Sequence, residues 1–263
     1  MAQRQKLTAL FSEHHLQIAA LKVLWKNGKK TTYYFKMSGS EALIIWEQLR
    51  SLVEVSGYWP VLLGTVLDMR ILKESIPRHD EPKSVYGEGF VMHSPLSTET
   101  FAHVSSAAGL AWLERERQER LNDEGPFPRS DWPSNVTSFN KISSIYDYKT
   151  NEPYPELFMA LVPSQECWLV PLYLSFGGWN DCPPPDVHVN LFKYWYDTYG
   201  AEVVALTHDT VEMQVSSPPT SPEIAIKLAE EQFLYCSDMD YDGTVDDLAA
   251  QLINASVWLF WWD

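Results

Sequence analysis

Basic residues are scarce in this chain. Against 35 Asp and Glu there are only 20 Lys and Arg, a formal net charge of −15. A polyanion needs a basic face to bind to, so nucleic acid is not an expected partner. Long apolar runs are missing as well. No stretch approaches the roughly 18 consecutive apolar residues that span a bilayer, and the C-terminal run 257–262 is far too short, so no membrane is expected either. The three cysteines, Cys167, Cys182 and Cys236, are odd in number and widely spaced, which argues against a disulfide framework. The N-terminus carries Arg4 and Lys6 without an apolar run. That is no secretory signal, and a cytoplasmic protein is expected. Phosphate-cradling glycine loops and the GxSxG nucleophile elbow are absent.

What is present is enough apolar material for a real core: 45% of 263 residues are hydrophobic and 21% charged, which also excludes global disorder. Eleven Trp and thirteen Tyr are an excess that either fills a core or builds a binding surface.

Periodicity predicts an amphipathic helix over 6–20 and a hairpin of strands 21–25 and 31–35 turning at Asn27-Gly28, two residues that tolerate positive φ. A helix follows from Ser40 to about Val55, then a short strand from Pro60 to Leu63 closed by Gly64. The long helix predicted within 98–122 ends in the mixed-charge run 113–120, a solvated face. Runs 157–162 and 168–174 read as strands, the second at an edge or bulge because of Pro171. Gly177 to Pro185 reads as loop. Helices are expected near 187–199, 220–235 and 246–253, and strands at 203–206, 211–215 and the Trp-rich end. Alternation along 258–262 places Trp258, Phe260 and Trp262 on one face and Leu259 and Trp261 on the other, which means a buried central strand or an exposed aromatic binding face, burial being the expectation. The fold class is α/β or α+β, a mixed β-sheet with helices packed on it. The organisation read from composition is an N-terminal helix and hairpin region over 1–125, a loop or linker over 126–155, and a C-terminal α/β domain over 156–263, the three together allowing one continuous body.

Trp179-Asn180-Asp181-Cys182-Pro183, Tyr199-Gly200-Ala201-Glu202, Ala225 to Glu231 with Tyr235-Cys236, and the ending Trp258-Leu259-Phe260-Trp261-Trp262-Asp263 together resemble the bacterial domain of unknown function 4253 family, most clearly over 169–263. Trp59 to Gly64 and Trp112 to Arg115 look like the N-terminal part of such proteins, which extends the resemblance over most of the chain. The resemblance implies family membership and supplies no catalytic residues. By analogy, some uncharacterised bacterial families of this kind act as immunity proteins beside toxins.

Three constellations bear on chemistry. Asp238, Asp240, Asp242 and Asp246, with Gly243 between, stand at positions 1, 3, 5 and 9 of an EF-hand-like loop, where alternate hard oxygens suit a weak Ca²⁺ site. Position 12 is Ala249 rather than the bidentate Glu, and Thr244 with Asp247 has capping-box spacing that explains part of the pattern. In the Gly/Pro-rich loop, Asp181 and Cys182 are catalytic candidates, with His188 and His208 the histidines nearest in sequence to activate the thiol. A zinc site from Cys182, Cys236, His188 and His208 lacks the usual ligand spacing. Asp209 and Glu212 form the third candidate, an acid–base pair in a strand–turn–strand. Trp179, Asp181, His188 and Trp195 are the binding candidates.

No coherent catalytic set emerges. The leading expectation is therefore a protein-binding module, an immunity-type or regulatory inhibitor of a basic partner, because complementary charge speeds encounter and aromatics anchor. The alternatives are a hydrolase- or transferase-type enzyme built on Asp181, Cys182, Asp209 and Glu212, and a calcium-binding module through 238–246.

Overall fold

A computed structural model describes residues 2–27, 30–75, 104–134, 136–238 and 243–263. Within them lies one seven-stranded mixed sheet of order β1-β2-β4-β3-β5-β6-β7 with helices packed on it, an α+β architecture. Strands β1 (Lys22–Asn27) and β2 (Lys30–Met37) pair antiparallel with Asn27 opposite Lys30. The hairpin is thus formed, but Asn27 belongs to β1 and the connection falls at Gly28-Lys29, one residue later than expected and outside the described residues. Strands β3 (Trp59–Gly64) and β4 (Leu157–Val162) are buried along their whole length, as near-continuous apolar runs require when both faces are covered. Strands β5 (Ala201–Leu206), β6 (Thr210–Val215) and β7 (Val257–Trp261) complete the sheet.

Both halves of the sequence feed this sheet. β4 lies between β2 and β3, and β3 pairs in parallel with β5. β5, β6 and β7 alternate in direction, so β3, β5 and β7 end on the same side of the molecule. That shared end carries the site described below.

Among the described residues the helices are α1 (Ala2–Glu13), α2 (Ala42–Ser51), α3 (Val53–Ser56), α4 (Val66–Ser75), α5 (Ser106–Asp123), α6 (Val170–Leu174), α7 (Pro185–Tyr199), α8 (Pro222–Tyr235) and α9 (Val245–Leu252). None of them is long and apolar enough to cross a membrane. α5 packs on α7, and α9 on α8. Gly109 makes the first contact close, since a Cβ there would stand 2.6 Å from the Asn190 carbonyl oxygen.

Three expectations are corrected. The stretch 168–174 is not a strand: a 3₁₀ turn at Cys167–Leu169 runs into α6, and Pro171 sits in its first turn. A proline is at home there because that N–H has no helical partner to lose, and a fully apolar run does not distinguish strand from buried helix by period. The first helix ends at Glu13 rather than near 20, and the chain then turns through His15 at φ 58°. β7 is an edge strand rather than a central one. Trp258, Phe260 and Trp262 are buried, but Trp261 is 36% exposed.

The segment after α5 is tied to the body by an ion pair. Arg129 donates from Nε and Nη2 to the two carboxylate oxygens of buried Asp246, each at 2.7 Å, and the Ser130 N–H adds a bond at 2.9 Å. The Arg129 bonds hold the Asp246 carboxyl down at about 2. A carboxylate lowered in the folded state contributes stability above its unfolded value near 3.8 and loses it as pH falls through 2. Arg129 is half exposed. With that exposure discounted, Arg129→Ala should cost about 1–2 kcal/mol at neutral pH. Urea unfolding at pH 7 and at pH 2.5 checks this: the difference between wild type and variant should shrink at the lower pH.

Candidate functional site at the carboxyl ends of the strands

β3 ends at Gly64, and Thr65 starts α4. Thr65 donates its backbone N–H and its hydroxyl to Asp68 Oδ2, both at 2.6 Å. This ties the first turn as an N-cap and N3 pair does. β5 ends at Leu206, and the hairpin to β6 carries His208 and Asp209. Because β3 and β5 are parallel neighbours, these two strand ends come together. His208 Nδ1–H donates to Asp68 Oδ1 at 2.5 Å, and Nε2 lies 3.3 Å from Asp209 Oδ2. Asp209 is held in turn: Oδ1 accepts from the Thr207 and Thr210 hydroxyls at 3.0 and 2.9 Å, and Oδ2 from the Trp261 indole N–H at 3.1 Å.

Burial pushes the Asp68 carboxyl up, but the bonds from His208 and Thr65 outweigh it and hold the carboxyl below its ordinary value. The bond to Asp68 raises the His208 imidazole above its ordinary value, and the Asp209 charge adds to this against desolvation. Two carboxylates thus flank the imidazole and favour its protonated form. All three side chains are partly exposed.

The same end receives β7 and the loop 177–184. The Trp262 N–H donates to the Asp209 carbonyl at 3.0 Å. Asn180 donates from Nδ2 to the Asp263 carbonyl at 2.6 Å, and the Asp263 N–H donates to Asp238 Oδ2 at 3.1 Å. The loop is locally strained, since Asn180 takes φ 44° beside Gly177 at φ 98°. At Gly177 a side chain would collide with the Pro183 carbonyl and the His188 ring, so only glycine fits. Three segments singled out in the sequence, 177–185, 235–238 and 261–263, therefore converge. They bring Asp181, Asp238 and Asp263 to the end that already holds Asp68 and Asp209. Among the described residues, none of these five carboxylates pairs with a lysine or arginine.

Beneath that surface lies a neutral, buried chain. Cys182 Sγ is 3.6 Å from His188 Nε2, and His188 Nδ1 is 2.7 Å from the Tyr235 hydroxyl. His188 is fully buried, with Phe176, Phe192, Tyr235 and Trp262 around it. Burial holds its imidazole down at about 3, while the Pro183 carbonyl accepts a bond from the ring. A neutral ring that gives its one proton to Pro183 accepts at Nδ1 from Tyr235. Burial also pushes the Cys182 thiol far up.

The sequence candidates sort accordingly. Cys182 and His188 do meet, but as a buried neutral pair and not as thiolate and imidazolium: desolvation disfavours both charged forms. His188 is thus no surface binding residue. Trp195 is none either; it is fully buried and stacked on Phe260 with ring centroids 5.3 Å apart. Trp179 packs edge-on against Phe176 at the rim, and Asp181 is exposed beside it. Asp209 and Glu212 do not act on each other. Glu212 is fully buried and accepts from the Ser143 N–H and hydroxyl and from the Ser144 N–H, at 2.5 to 3.0 Å. Asp209 has His208 as its titratable neighbour instead. Cys182, Cys236 and His188 are not gathered with His208.

In the EF-hand-like stretch, Thr244 and Asp247 form the capping box. Asp246 gives its oxygens to Arg129 and Ser130, and Asp238 binds the Asp263 N–H. Asp240 and Asp242 lie outside the described residues. Asp68 is the member of the triad that sequence reading missed. Its one local signal is the Thr65-x-x-Asp68 spacing after Gly64.

Fold and site define a mixed α+β protein with an acidic end that bears His208. Residues 158–263 match the model of the family described as Domain of unknown function (DUF4253), the family that the C-terminal motifs resemble. The match covers β4 to β7, the loop 177–184, His208, Asp209 and the chain end; Asp68 lies before it. No curated protein and no solved structure matches the chain.

Proposed function

We propose that the protein is a cytoplasmic binding module of inhibitor type, an immunity or regulatory protein, that engages a basic protein partner through the acidic end of its sheet. One observation carries this: Asp68, Asp181, Asp209, Asp238 and Asp263 gather there without lysine or arginine partners among the described residues. Apolar anchors stand among them. Trp261 is 36% exposed, and Val66 and Leu67, which start α4 beside Asp68, are 67% and 48% exposed. Exposed Trp beside charge is the composition of an interface hot spot. The net charge of −15 would steer a basic partner toward this protein. The three cysteines are free and buried, which fits a reducing compartment.

The test compares capture by the wild type with capture by Asp181→Lys and Trp261→Ala, at low and high salt. A stoichiometric basic protein should be held by the wild type, released by salt, and weakened about tenfold or more by each substitution. A partner that binds both variants as tightly as the wild type would place its contact elsewhere and end this reading.

A further inference from the structure

We propose that Asp68, His208 and Asp209 form a binding site for a divalent transition-metal ion of the zinc, cobalt and manganese class. One donor atom from each residue can be chosen so that all three lie within 4.8 Å of one another. Two ligands on one ion with bonds near 2.1 Å stand roughly 3 Å apart, so the set closes up on binding, with Asp209 moving from Nε2 toward the Nδ1 side that Asp68 already faces. At present the His208 Nδ1–H fills the gap to Asp68, and a metal would replace that proton.

Three features beyond the donor set point to a ligand. First, the carboxylates are already oriented from behind. Thr65 grips Asp68 through Oδ2, and Thr207 and Thr210 grip Asp209 through Oδ1, which leaves Asp68 Oδ1 and Asp209 Oδ2 turned toward the histidine. Such outer contacts are what fix metal ligands. Second, the site lies at the carboxyl ends of parallel neighbours β3 and β5, where open α/β sheets take their ligands. Third, the side chains are partly exposed, so an ion has a path in, and three protein donors leave coordination positions open. The imidazole sets the class: mixed nitrogen and carboxylate donors favour borderline transition metals over calcium and magnesium. Bound metal would also clamp α4 to the β5–β6 hairpin. This inference does not depend on the partner reading, which capture tests separately.

Cobalt titration of the metal-free protein tests it. The expected result is one Co²⁺ per chain with visible d–d absorption, displaced by Zn²⁺ and insensitive to Ca²⁺. Affinity should fall at least about tenfold in both His208→Gln and Asp209→Asn, with near-ultraviolet circular dichroism confirming that each variant is folded. Asp240→Asn with Asp242→Asn should bind as the wild type does. Absence of the bands, wild-type titration by folded His208→Gln, or loss of the signal in the Asp240/Asp242 variant would each overturn the assignment.

Discussion

Replacing Trp195 by alanine should cost about 4 kcal/mol or more of folding free energy. Trp195 is fully buried in α7. Its ring lies parallel to Phe260 at 3° and edge-on to Tyr235 and Trp258, with centroids 5.1 and 5.8 Å away. Its indole N–H donates to Glu231 Oε2 at 3.3 Å. Burial already pushes the Glu231 carboxyl up, opposed by the bonds from Trp195 and Tyr194. Truncation therefore opens a cavity the size of an indole and also takes a donor from a buried acid, two costs that add. Trp261→Ala serves as the control. Its partly exposed ring should cost about 1 kcal/mol or less, so the two tryptophans separate core from surface in one urea series. A loss under about 1 kcal/mol for Trp195→Ala would mean that the ring is not packed as described.

Acid should destabilise the protein through His188, and His188→Gln should remove much of that sensitivity. The sign follows from the direction of the shift. The folded imidazole is held at about 3 against an ordinary 6.5, so as pH falls below 6.5 the unfolded chain takes a proton that the folded chain refuses. Stability is flat above 6.5 and declines until about 3, in total by about 5 kcal/mol at 1.36 kcal/mol per pH unit. No carboxylate among the described residues bonds the ring to compensate: its contacts are Cys182, the Pro183 carbonyl, Tyr235 and aromatic faces. Unfolding free energies for wild type and His188→Gln should converge in slope above pH 7 and diverge between pH 6 and 4, with the wild type the steeper. Parallel curves across that range would show that His188 is protonated, or solvated, in the folded state.

Period and punctuation made much of the fold legible. The β1–β2 pairing, the apolar run of β4, the Gly200 stop after α7 and the Thr244–Asp247 cap all act within a few residues, where the sequence shows them directly. Two kinds of information were out of reach. An unbroken apolar run such as 168–174 has no period to choose helix over strand, and an edge strand looks like a central one when one face is as aromatic as that of β7. The site was legible in pieces. The 179–185 loop, Cys236 and the Trp-rich end stood out, and they do converge. The partner of His208 did not, because Asp68 is 140 residues away in sequence and meets it only through the parallel pairing of β3 with β5. Burial was the other hidden quantity. Cys182 near His188 looks like a nucleophile and base in sequence, and desolvation makes it a neutral pair. Of the two uses open to the aromatic excess, core and binding surface, the core takes most of it, around Trp195, Tyr235, Phe260 and Trp262.

Hydrogen exchange of the protein alone and saturated with the basic partner it captures tests the central claim most directly. Binding through the acidic end of the sheet predicts new protection in 65–68, 177–184, 207–210 and 261–263, lost again at high salt. Protection confined to the charged face of α5, with these four segments unchanged, would contradict it.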